Sequence, residues 1–249
     1  MGKAARQGKG KQASAKPFIG VVILVVVVGA AALGYGLTGK SGANASTVDP
    51  NIPVGQAEGY LIGKADAPVQ VIEFADYECP ACGQFATLTE PDVRSRLVET
   101  GKVSYRFYDF PLPMHKNTWS ASSAAACASD QGKFWEMHDL LFATQDRWNG
   151  EATSNPKKPI AELARQLGLD MRAWENCFDT KKYYPRIKGS QLEAERRMIQ
   201  QTPTFIIGNK MVPGSVSYDQ FSRYVDEAMK SAPTTESKPA DAAKKGPAK

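Results

Sequence analysis

Histidine occurs only twice in 249 residues and cysteine only four times, and these scarcities narrow the chemistry before any motif is considered. A structural zinc site needs four ligands. Beyond the close pair Cys79 and Cys82, the other cysteines, Cys127 and Cys177, stand apart, and His115 and His138 lack ligand spacing. No metal and no cofactor is therefore expected. Acidic residues are missing altogether from residues 1–40, which hold Lys3, Arg6, Lys9, Lys11, Lys16 and Lys40, so the net charge of +5 is concentrated there and the remainder carries −1. A nearly neutral body offers no basic face for nucleic acid. No segment repeats.

Charge is also absent between Phe18 and Leu37, twenty residues that include an unbroken run from Val21 to Val28. As a helix this segment is roughly 30 Å long, the thickness of a bilayer's hydrocarbon core. Five cations precede it and Lys40 follows it. By the positive-inside rule the expectation is a cytoplasmic N-terminus at 1–17, a transmembrane anchor at 18–37 and an exported remainder, periplasmic or otherwise extracytoplasmic. The alternative is a cleaved signal peptide, since Ala43-Asn44-Ala45 has the small-x-small form read by the peptidase. The apolar run is longer than the usual h-region of roughly 7–15 residues, which favours the anchor. Both readings lead to an oxidising compartment.

Residues 38–58 are rich in Gly, Ser, Ala and Asn and read as a flexible tether; the stretch from about Ser231 to Lys249 has no periodic apolar face and reads as a disordered tail. One α/β domain, residues 59–230, lies between them. The β-branched, almost continuously apolar run from Val69 to Ala75 predicts a central strand buried on both faces. Helix formers follow Cys79, and Lys102 to Tyr108 predicts a second strand, which makes a βαβ unit. A helical block covers about 116–200. Thr204–Ile207 and Lys210–Val212 then read as a hairpin about Gly208-Asn209, and a last helix starts at Ser217, where Gln220 completes a capping box.

Cys79-Pro80-Ala81-Cys82 falls where the first strand gives way to a helix. With Cys79 at the cap and Pro80 at the first helical position, the Cys79 sulfur faces free backbone N–H groups and the positive end of the helix dipole, both of which favour a thiolate. Cys82 lies one turn on, close enough to close a disulfide and too buried to be the first nucleophile. Glu78 is expected to oppose the thiolate by like-charge repulsion. Glu73 shares a strand face with Val69, Val71 and Ala75; desolvated there, it could carry protons to and from Cys82, or it could instead reach an edge and form a salt bridge.

Gln201-Thr202-Pro203-Thr204 brings a proline into a strand, where it cannot donate to the ladder. Together, the run from Ala67 through Cys82, Thr202-Pro203-Thr204-Phe205 and the segment Gly132-Lys133-Phe134-Trp135-Glu136-Met137-His138 resemble the DsbA-like branch of the thioredoxin superfamily, over about residues 58–230. The resemblance implies a thioredoxin fold with an inserted helical domain and Cys79 and Cys82 as the redox pair. It also implies Pro203 as a cis-proline against them, Thr202, Pro80 and Ala81 on the substrate side, and Glu73 as the buried acid. Exported protein thiols would be the substrates, and a membrane redox partner would reset the dithiol. Pro80-Ala81 departs from the Pro-His of the best-known oxidants, and Thr rather than Val precedes the proline. Cys127 and Cys177 would form a structural disulfide, as in some relatives; the alternative is two buried free thiols. His115 and His138 read as structural.

The leading expectation is an oxidase that gives disulfides to exported proteins. The competing expectations are a disulfide reductase or isomerase, and a peptide-binding chaperone module without redox turnover.

Overall fold

The computed structural model describes residues 55–231. Tyr60–Ile62 forms an edge strand, β1, and Val69–Ala75 forms β2. Beyond β2 the chain turns at Asp76 to Glu78 and enters helix α1, Pro80–Leu88, which continues into a short helix α2, Glu90–Val93, and a π-helical turn, Arg94–Val98. Gly101, at φ 76°, sits in the turn that leads into β3, Val103–Asp109. The insertion follows: α3 Thr118–Ser129, α4 Phe134–Ala143, α5 Gln145–Trp148, α6 Lys157–Gln166, α7 Met171–Asp179 and α8 Tyr184–Arg196. The chain returns as β4 Thr204–Ile207 and β5 Lys210–Pro213, then ends in α9, Tyr218–Ser231.

Among the described residues five strands form one sheet in the order β1-β3-β2-β4-β5. The β2–β3 pair is parallel, with Glu73 opposite Phe107, and the other pairs are antiparallel. The period-2 pattern of β2 divides its side chains between two helical layers. Val69 and Val71 pack with Phe85 of α1, Val93 of α2 and Phe221 and Val225 of α9, while Phe74 packs with Ala194 of α8 and with Ile199. Phe85, fully buried, lies 4.5 Å from the Phe205 ring and 5.9 Å from Phe221. Truncating it to alanine would cost about 3–5 kcal/mol.

Two helices start on side-chain caps, and the one at Ser217 is the start read from the sequence. At α9 both arms of the capping box are made: Ser217 N–H donates to Gln220 Oε1 at 3.3 Å and Gln220 N–H to Ser217 Oγ at 3.4 Å. At α7 Asp170 Oδ1 accepts from the N–H groups of Arg172 and Ala173. In α3 the alanines at 121, 124, 125, 126 and 128 are all buried, so neighbouring helices cover this helix on every side. A disulfide joins Cys127 of α3 to Cys177 of α7.

Strand β1 is absent from the sequence reading, because three residues between Gly59 and Gly63 are too few to show a period. The end of the expected tether is already docked, with Gly55 N–H donating to Pro185 O at 2.7 Å. The expected cytoplasmic segment, the apolar run 18–37, the possible cleavage site near Ala45 and the tail beyond Ser231 lie outside the described residues. Among the described residues no helix is long and apolar enough to cross a membrane.

Candidate active site

Strand β2 ends at the sheet edge from which α1 departs, and this crossover positions the dithiol. Cys79 is the N-cap of α1, with extended backbone (φ −72°, ψ 122°) and Pro80 behind it in the first turn. Its N–H donates to Asp76 O and its carbonyl accepts from Gly83 N–H, so the turn is closed before the helix begins. Both cysteines are free thiols. Cys79 is 8 % exposed and Cys82 0 %, so the first thiol is less open than its place at a helix end suggests. The cover comes from the segment at Thr202-Pro203: the peptide bond between these residues is cis, and Cys79 Sγ–H donates to Thr202 O at 3.4 Å.

The two sulfurs differ in acidity. Cys79 is lowered from 9.0 to about 6, chiefly because the Cys82 thiol donates to its thiolate, with further help from the Thr202 side chain and the backbone N–H groups of Cys82 and Ala81, against the opposing effect of burial. Cys82 is pushed well up by burial, then by the neighbouring Cys79 and by Glu73. One thiol is thus primed to be a thiolate and the other to keep its proton.

Glu73 is 1 % exposed and accepts a hydrogen bond from the Tyr105 hydroxyl of β3. It is not drawn to an edge salt bridge. Burial raises its carboxyl well above the usual range, and the charge of Glu90 raises it further, while Tyr105 and Arg94 pull it down. Pro80 is exposed and faces an open cleft of about 270 Å³ that it shares with Met114, His115, Lys116 and Glu151. Ala81 is half-buried, and Thr202 and Pro203 are buried.

A family model described as Thioredoxin matches residues 56–227. The chain belongs to the thioredoxin family. Within that family it is DsbA-like. Disulfide bond formation protein D of Bacillus subtilis is 25 % identical over 172 residues, covering 68 % of this chain and 77 % of that one. The Na(+)/H(+) antiporter NhaA 3 of Salinispora tropica is 33 % identical over 192 residues, which are 77 % of this chain and 28 % of the antiporter. The chain therefore spans little more than a quarter of that relative. Among solved structures, alpha-DsbA1 of Wolbachia pipientis superposes with a TM-score of 0.64 at 24 % identity, over 72 % of this chain and 94 % of that one.

This DsbA-like chain holds the turn that carries its two free cysteines with side chains that the sequence reading did not single out. Asp76, whose side chain is 0 % exposed, accepts from Glu78 N–H through Oδ1; through Oδ2 it engages Leu112 N–H and His115 Nδ1, each at 2.7 Å. That pairing raises His115 above its ordinary value. Gln145 Nε2 reaches across from the insertion to the carbonyls of Tyr77 at 2.6 Å and Cys79 at 3.0 Å. Asp109, at the end of β3, is fully buried, with Oδ1 unpaired among the described residues, and burial pushes its carboxyl from 3.8 to about 7. Glu78 departs from expectation. Its carboxylate turns to the insertion, accepting from Asn117 N–H at 2.7 Å and from Gly150 N–H, and it is not among the main influences on Cys79. A polar residue at the end of a predicted strand was the one sequence cue to Asp76 and to Asp109; Gln145 carried none.

Proposed function

We propose that this chain is an extracytoplasmic thiol-disulfide oxidoreductase whose Cys79–Cys82 disulfide is passed to exported proteins. The observation that carries this reading is the divided acidity of the pair, with Cys79 near 6 and Cys82 pushed up, because a sulfur that is stable as a thiolate makes its disulfide a better oxidant. A substrate thiolate attacks Cys79 Sγ and the Cys79–Cys82 bond breaks. Cys82 leaves as a thiolate and takes a proton from Glu73. A second substrate thiolate then attacks the substrate sulfur of the mixed disulfide and Cys79 leaves as a thiolate. The substrate has lost two electrons and the dithiol has gained them, and a membrane redox partner takes them away.

In this reading Thr202 and Pro203 line the peptide's approach to the sulfur, and the cleft beside Pro80 and Ala81 takes side chains flanking the substrate cysteine. The uncharged run 18–37 with cations ahead of it supports anchoring with the domain outside. The Cys127–Cys177 disulfide suits an oxidising compartment.

The test is equilibration of the dithiol in glutathione buffers. The expected potential lies above about −270 mV, the thioredoxin value, and below about −120 mV, that of the strongest oxidants. Oxidised protein should also restore activity to a reduced, unfolded disulfide enzyme at stoichiometric amounts. A potential at or below the thioredoxin value would favour the reductase reading. Absence of any thiol exchange would favour a chaperone module.

A further inference from the structure

We propose that Glu90 is a positioning residue of the redox site, a second buried carboxylate whose fixed charge decides where Glu73 holds its proton. The inference rests on the reading of Glu73 as the proton carrier for Cys82.

Glu90 opens α2, one short step beyond the helix that carries Cys82, and is 1 % exposed. Its oxygens are fully engaged by cationic or potentially cationic groups. Oε1 accepts from Arg94 Nε at 2.8 Å and Nη2 at 2.6 Å, and Oε2 lies 3.2 Å from His138 Nε2. Arg94 runs on to Asp139, whose side chain is 56 % exposed, so the guanidinium is tied to the surface at its far end. His138, fully buried on α4, meets the Tyr77 hydroxyl through Nδ1 at 3.2 Å.

This cluster and Glu73 share one wall. The His138 ring is 4.8 Å from Phe107, the β3 residue in register with Glu73. Arg94 lies 4.6 Å over Trp135, whose ring is 6.3 Å from Tyr105, the donor to Glu73. Two carboxylates therefore occupy one dry region with unequal partners: Glu90 has a guanidinium and an imidazole, Glu73 a single phenol. Ionising both would place like charges together in low dielectric, so the proton settles on the acid with the weaker donors.

The acidities agree with that division. Glu90 is lowered, because His138 and Arg94 overcome its burial; Glu73 is raised by burial and then by Glu90. The titratable and charged groups coupled to Glu73 are Tyr105 from β3, Tyr77 from the turn after β2, Glu90 from α2, Arg94 from the π-helical turn, and Cys79 and Cys82 at the head of α1. None of the leading influences on Cys79 is Glu90. Glu90 thus acts on the proton of the second thiol through Glu73.

The test titrates the protonated-carboxyl infrared band of the full chain, assigned by its loss in Glu73→Gln. In Glu90→Gln the midpoint should fall by about one pH unit or more, a tenfold change in proton affinity and the scale at which two sites titrate as a pair. Glu90→Asp, which keeps the charge, should retain the high midpoint. If Glu90→Gln does not fold, the double variant Glu90→Gln with Arg94→Met removes both charges, and the midpoint should again fall, because Glu90 influences Glu73 more than Arg94 does. An unmoved Glu73 midpoint in a folded variant lacking the Glu90 charge overturns the inference, as does an equal fall in Glu90→Asp. The pH dependence of intramolecular breakdown of a Cys79–glutathione mixed disulfide separates the two readings. If it follows the Glu73 midpoint, both stand; if the band moves and the kinetics do not, the role of Glu90 stands and the proton transfer from Glu73 to Cys82 falls.

Discussion

Replacing Cys82 by alanine removes the largest single influence holding Cys79 as a thiolate. The change at Cys79 from 9.0 to about 6 is a thousandfold in proton affinity, or about 4 kcal/mol. Four donors share it against burial, and the Cys82 thiol leads them. A hydrogen bond to a charged acceptor is worth about 1.5–3 kcal/mol, which corresponds to roughly one to two pH units. Cys79 in Cys82→Ala should therefore titrate near about 7–8, while Cys82→Ser, which keeps a hydroxyl donor, should stay closer to the parent. The assay is the rate of iodoacetamide alkylation between pH 4 and 9, with Cys127 and Cys177 held in their disulfide. At pH 6 about half of Cys79 is ionised in the parent and about a tenth or less in Cys82→Ala, so the rate should drop roughly fivefold or more. An unchanged midpoint in Cys82→Ala would refute the account of the thiolate. Equal labelling of both cysteines in the parent would refute the assignment of the nucleophile.

Asp109 supplies a pH-dependent test of stability. Its carboxyl is protonated up to about pH 7 in the folded chain but only to about 3.8 when unfolded, so the folded state holds the extra proton between these values and stability falls as pH rises through them. Asp109→Asn does not titrate, and its unfolding free energy relative to the parent should grow by about 3–4 kcal/mol from pH 4 to 8 in urea melts; a flat difference would count against the buried, neutral acid. Removing the Cys127–Cys177 bond by double alanine substitution opens a loop with a sequence separation of 50 and should lower stability by about 4 kcal/mol in the chain-entropy picture, with the Cys79 alkylation profile retained. Gln145→Ala leaves the carbonyls of Tyr77 and Cys79 without their side-chain donor; a loss of about 1–3 kcal/mol in denaturant melts is expected, and wild-type stability would show that this clamp does not hold the turn.

Much of the fold was legible because its cues are local. The apolar, β-branched run Val69–Ala75 has the same bounds in the structure, and Gly208-Asn209 turns the hairpin as read, with Gly208 at φ 61°. The Cys-Pro-Ala-Cys spacing alone places one sulfur at a helix cap and the other a turn later, since 3.6 residues per turn and a proline in the first turn leave little freedom. What the linear pattern could not carry was which polar groups would meet in the dry region behind that turn. Residues Glu73, Tyr105, Glu90, Arg94 and His138 are spread over 66 positions; Glu73 was read as a strand acid and His138 as structural, and nothing in the pattern marked Glu90 or Arg94. Packing α2, the π-helical turn and α4 against the sheet makes neighbours of them. Likewise, sequence adjacency suggested repulsion between Glu78 and Cys79, but backbone direction turns Glu78 into the insertion and brings Thr202, 123 residues away, onto the sulfur. Propensity, capping and periodicity act within a few residues, and so the central strands, the hairpin and the place of the two cysteines at a strand-to-helix turn could be read from the chain alone. Desolvation and charge act through space, and so the pairing of Glu73 with Tyr105 and Glu90, and the cover that Thr202 lays over Cys79, came only with the fold.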